Sequence, residues 1–102
     1  MRNQIPLKSS VEGHMASTRV SALPLRQAAR ELLSKGSEVI LDFNGIQATQ
    51  SFIDELIGAL ILEDGPQVLE NIVFKGCSED VEAMIRFVAA DRCDQFSKAH
   101  AH

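Results

Sequence analysis

The chain has 102 residues, 45% hydrophobic and 24% charged, with a formal net charge of −4, the balance expected of one globular domain spanning residues 1–102. That acidity excludes a general nucleic-acid binder, which needs a basic footprint to displace counterions; with no Trp, no Tyr and five Phe, a stacking platform for bases is also missing. The longest apolar run, Leu56–Leu62, is too short for a membrane span, and Met1-Arg2-Asn3-Gln4 leads into no hydrophobic signal region, so a cytoplasmic chain without membrane contact is expected.

The first predicted element is Gln4–Lys8, an edge strand because it holds Pro6. Val11–Thr18 has no clear period and reads as a short strand or a loop. Ser21 is the expected N-cap of a first helix, with Pro24 in its first turn. Leu25, Ala28, Ala29, Leu32 and Leu33 recur at helical spacing, and Gly36 stops the helix. Arg19, Arg26, Arg30 and Lys35 read as its solvated side.

Val39–Phe43 is nearly all apolar and reads as a central strand buried on both faces. Asn44-Gly45 makes a turn. A second helix starts at Gln50 or Ser51, runs to about Leu62 and stops at Glu63-Asp64-Gly65-Pro66. Ile72-Val73-Phe74 is a second buried strand, broken by Gly76. Ser78 caps a third helix with Glu79 and Asp80 in its first turn. Val81, Met84, Ile85 and Val88 give this helix its apolar stripe, the pattern weakens after Ala90, and Phe96 anchors a short last element. Alternating helices and buried strands predict a mainly parallel sheet with right-handed crossovers.

Cys77 and Cys93 lie far apart and have no second Cys or His at metal-ligand spacing. Free thiols and no metal or cofactor are expected. His100 and His102 belong to what reads as a frayed tail.

The second helix carries most of the functional signal. At about 100° per residue, Phe52, Ile53, Leu56, Ile57, Leu60 and Ile61 fill one side. The remaining strip holds Ser51, Asp54, Glu55 and Gly58. Gly58 disfavours the helix by about 1 kcal/mol relative to Ala, which points to the close approach of another group. Asp54 and Glu55 point about 100° apart, so they make no ready acid–base pair. No His stands near Ser51 in sequence to activate it.

Leu41-Asp42-Phe43-Asn44-Gly45-Ile46, followed by Ser51-Phe52-Ile53-Asp54-Glu55-Leu56-Ile57-Gly58, resembles the STAS-like domain family of unknown function. That family is related to STAS domains, the fold of bacterial anti-sigma factor antagonists. The resemblance extends from about Thr18 to Val88 and implies an α/β fold: a small mixed, mainly parallel sheet with helices packed mainly on one side. In the antagonists, a Ser at the start of the helix after a central strand is phosphorylated by a partner kinase, and phosphate releases the partner. Ser51 falls at the matching position. The antagonists carry an Asp just before that Ser and a small hydroxyl residue after it. Gln50 and Phe52 stand there in this chain.

The resemblance implies a regulatory protein-interaction module without catalysis, and Gln50, Ser51, Asp54, Glu55 and Gly58 as its partner-binding face. Ser51 is then the candidate phosphosite, and a GHKL-type kinase or other ATPase is the expected partner. Two other readings stay open. One is a small-ligand-binding domain or enzyme using Asp54, Glu55 and Asp42, although a glycine-rich phosphate loop and a nucleophile–base pair are missing. The other is a self-associating scaffold or homodimer.

Overall fold

The computed structural model describes residues 2–9, 11 and 13–100. Strands β1 (Arg2–Pro6), β3 (Glu38–Asp42) and β5 (Ile72–Lys75) form a three-stranded sheet in the order β1-β3-β5. Both pairings are parallel, with Ile5 opposite Leu41 and Leu41 opposite Phe74. A separate two-stranded parallel pair joins β2 (Met15–Ala16) to β4 (Gln47–Ala48). Pro6 ends β1 at the sheet edge, as expected, where its missing donor costs no ladder bond.

Helix α1 (Arg19–Ser34) connects β1 to β3. A second helical rod connects β3 to β5 in three continuous pieces: α2 (Gln50–Ile53), a π-helical turn (Asp54–Gly58) and α3 (Ala59–Asp64). A 3-10 stretch, Pro66–Asn71, leads into β5, and α4 (Glu79–Ala99) closes the fold. The strand order advances in one direction, and right-handed crossovers then deliver the intervening helices to the same face.

This arrangement corrects the expectation that the central strand is buried on both faces. Val39 and Leu41 are fully buried against the helices, while Glu38, Ile40 and Asp42 are only half-covered on the other side. Likewise β5 buries Ile72 but exposes Val73, because it is an edge strand with one open face. Polar pairs dress that open face: Arg2 bonds Glu38, and Gln4 Nε2 donates to Asp42 Oδ2 at 3.0 Å.

Thr18, not Ser21, caps α1, its Oγ1 accepting from the Ser21 amide at 3.2 Å. Pro24 therefore lies inside the helix rather than in its first turn. It sits on the exposed side, where solvent reaches the carbonyl it leaves unbonded. At the other end Gly36, with φ +79°, donates to Leu33 while Ser37 donates to Leu32. That pattern closes the helix around a left-handed glycine.

The last helix departs most from expectation. Instead of fading after Ala90 it runs unbroken to Ala99. Ion pairing of Asp94 with Lys98 and the Asp91–Gln95 hydrogen bond support the extension at one-turn spacing. His100 ends the helix and stacks on Phe96 with ring centroids 4.0 Å apart, so the tail is ordered up to that residue. His102 lies outside the described residues. Among those residues, no helix is long and apolar enough to cross a membrane, and no group of three His, Cys, Asp or Glu residues is placed to hold a metal ion.

Candidate functional site

The rod's inner side chains recur at steps of four: Phe52 and Ile53, Leu56 and Ile57, Leu60 and Ile61. All six are essentially inaccessible. In a straight α-helix a step of four overshoots one turn by about 40°. Two such steps would rotate the last pair away from the core. The wide turn at Asp54–Gly58, where the Ala59 amide donates to the Asp54 carbonyl, takes up the extra residue and keeps all three pairs facing inward.

That turn also sets the outer strip. Thr49 caps the rod, its Oγ1 accepting from the Phe52 amide at 3.2 Å. Ser51 is thus not the cap. It lies in the first turn, exposed, and among the described residues its hydroxyl makes no hydrogen bond. Gln50 beside it is also exposed.

The other three predicted residues are not open to solvent as the helical wheel suggests. Asp54, 15% exposed, accepts from Arg92 Nε of α4 at 2.6 Å and from Arg19 Nη1 of α1 at 3.0 Å. Glu55 accepts from Arg26 Nη1 at 2.5 Å and lies 4.0 Å from Arg19. Gly58 is buried. A Cβ there would stand 2.5 Å from Asp54 Oδ1 and 3.2 Å from Arg92 Cγ. The close approach expected at Gly58 therefore comes from within the chain: Arg92 crosses the bare backbone to reach Asp54.

The solvated side expected for α1 is corrected in the same way. Arg19, Arg26 and Arg30 form a stripe that faces Asp54, Glu55, Glu63 and Asp64 of the rod. Their spacing puts them on one face of α1. The acids match them because the two helices run side by side.

A cleft of 210 Å³ opens between α1 and α4 above the start of the rod. Arg19, Gln50, Ser51, Asp54, Phe87, Asp91 and Arg92 line it. Phe87 is 59% exposed on its rim. The structure thus brings Gln50, Ser51 and Asp54 together and directs Glu55 and Gly58 into the ion-paired seam. Sequence reading missed Asp91 and Arg92 because the pattern of α4 was lost after Ala90, and Phe87 because it falls off the apolar stripe Val81, Met84, Ile85 and Val88. The one signal for them was Gly58, which announced a neighbour without naming it.

The chemistry available here follows from the charges. Hydrogen bonding by Arg92, and then by Arg19, holds the Asp54 carboxyl below its ordinary range against the opposing effect of burial. A carboxylate so held is a poor proton acceptor at neutral pH. Asp42 is engaged at the strand–turn junction, where its Oδ1 accepts from the Asn44 amide at 2.9 Å. Burial pushes the Cys77 thiol up, with Glu82 and Asp42 adding to the effect. It is a protonated thiol at neutral pH and a weak nucleophile.

Comparison with curated proteins and with solved structures gives no match. The family model described as a STAS-like domain of unknown function matches residues 21–82, from the first turns of α1 to the start of α4. That span holds β3, the Asn44-Gly45 turn and the whole rod with Ser51, Asp54, Glu55 and Gly58, and the chain belongs to the STAS-like domain family of unknown function.

Proposed function

We propose that the chain is a non-catalytic regulatory module that docks a partner protein over the cleft at the start of the rod, and that phosphorylation of Ser51 switches the docking. The observation that carries this reading is the division of labour between Thr49 and Ser51. Thr49 supplies the cap, so the exposed hydroxyl of Ser51 has no structural duty and is free for a partner or a kinase. An exposed Phe87 beside Arg19 and Arg92 supports a protein partner, since aromatic and arginine side chains dominate protein interfaces.

The partner is a GHKL-type kinase, as the resemblance to anti-sigma factor antagonists implies. The γ-phosphoryl group of ATP passes to Ser51 Oγ. The new ester P–O bond forms, the bond to ADP breaks, and the serine proton goes to the kinase's base. Phosphate adds about −1.5 to −2 charges at neutral pH. Placed beside Asp54 and Asp91, it turns a face where two arginines balance two aspartates into an acidic one and repels an acidic partner surface.

The test is affinity capture from the source cells with wild type and with Ser51→Glu, followed by incubation of the captured kinase with ATP. Retention by wild type, loss by Ser51→Glu and phosphate on Ser51 by mass spectrometry are expected. Ser51→Ala should change folding stability by no more than about 0.5 kcal/mol, as for a surface site without a special role. Retention of the same partner by Ser51→Glu sinks the switch.

A further inference from the structure

Arg19 and Ser51 lie in the first turns of two helices, each at its junction with one of a pair of parallel strands, Arg19 first after the cap Thr18 and Ser51 second after the cap Thr49. Ala16 of β2 pairs with Ala48 of β4, and Arg19 and Ser51 each follow three residues later. The junctions are tied together, for the Thr49 amide donates to the Ala16 carbonyl and Thr49 Oγ1 donates to the Ser17 carbonyl, both at 3.0 Å. Both residues then line the same cleft.

Arg19 is also the dispensable member of the ion network. Its side chain is 53% exposed, against 23% for Arg92. Each acid it touches has a second guanidinium: Asp54 keeps Arg92 at 2.6 Å, and Glu55 keeps Arg26 at 2.5 Å. Asp91, the remaining acid of the cleft, is held by Arg92 at 2.9 Å. Moving Arg19 therefore orphans no carboxylate, whereas moving Arg92 would leave Asp91 without a guanidinium.

Resting on the reading of Ser51 as a phosphosite, we propose that Arg19 is the counter-ion of the phosphorylated serine: it leaves Asp54 and binds the phosphate. A guanidinium binds phosphate oxygens in a bidentate fork, and the dianion attracts it more strongly than a carboxylate already paired elsewhere. The exchange moves the tie between the start of α1 and the rod from Asp54 to Ser51, while the Thr49 bonds to Ala16 and Ser17 remain. The docking face then changes in shape as well as in charge.

The experiment uses the full chain with phosphoserine incorporated at position 51 during synthesis, so that no kinase is needed. Phosphorus NMR follows the second ionisation of the phosphate in the wild-type background and in Arg19→Gln, Arg19→Lys and Arg26→Gln. The midpoint is expected about 0.5–1 pH unit lower with Arg19 than with Gln. Lys should restore part of the shift, and Arg26→Gln should leave it in place. Equal midpoints with Arg19 and Gln overturn the proposal, as does a phosphorylated chain that loses its circular-dichroism signature. If the midpoints differ while partner capture ignores Ser51, the exchange stands and the docking reading falls. If Ser51→Glu releases the partner while the midpoints coincide, only the exchange falls.

Discussion

The two sides of the rod are held by different physics. The inner side buries six large apolar side chains in the core it shares with the sheet strands and with α1 and α4. Its contacts are non-directional, and each side chain contributes by the area it removes from water. The outer side is a directional network in which Asp54 joins α1, the rod and α4 through Arg19 and Arg92. Removing one inner side chain leaves a cavity. Removing one outer group changes the pairing of the groups it shares, so effects there are coupled rather than additive.

The largest loss is expected inside. Leu56 is fully buried at the middle of the inner face, and Leu56→Ala should lower stability by about 3 kcal/mol, read from urea denaturation. A loss under about 1 kcal/mol would mean that the inner side of the rod does not close the core as described.

Next is Asp54→Asn, which keeps the shape and removes the charge. A loss of about 2 kcal/mol is expected at neutral pH. The Asp54 carboxyl is depressed below its ordinary value in the fold, so its contribution is present above the unfolded value, near pH 4, and is lost as pH falls through the folded one. The gap between wild type and variant should therefore narrow on acidification below about pH 4. A gap independent of pH would assign the effect to packing instead of charge.

The smallest effect tests how the outer side is coupled. Gly58→Ala gains about 1 kcal/mol of helix propensity, but its Cβ displaces the Asp54 carboxylate and the Arg92 stem. A net loss of about 1 kcal/mol is expected. In an Arg92→Ala background the same substitution should become stabilising, since the carboxylate is then free to turn toward Arg19. Equal effects in both backgrounds would show that Gly58 serves something other than the passage of Arg92.

The inner face was legible because apolar periodicity is a local signal. The pairs at 52/53, 56/57 and 60/61 announce a buried face, but they were read as one side of a regular helix, and only the structure shows the π turn that keeps them aligned. Of the outer face, only Ser51 at the helix start was legible as an exposed position. Asp54, Glu55 and Gly58 were placed on the right strip but given solvent as their neighbour. Their arginines lie 29 to 38 residues away in the chain, and periodicity has no reach at that separation. The cap of α1 was misread by three residues for a related reason, whereas Ser78 was read correctly as the cap of α4. Thr18 and Thr49 sit beside other hydroxyl or amide residues, and only the backbone path shows which oxygen meets the free amides.

The sequence by itself determined the order of the three main sheet strands and the helices between them, the parallel sheet, the glycine stops and the apolar side of the rod, though not the short strand Gln47–Ala48, because propensity, turn chemistry and hydrophobic period act within a few residues. Tertiary structure alone decided which sheet face stays open, how far α4 continues and which arginines close over Asp54 and Glu55. Those outcomes depend on crossover handedness and on charges meeting through space, and both arise only after the helices are packed on the sheet.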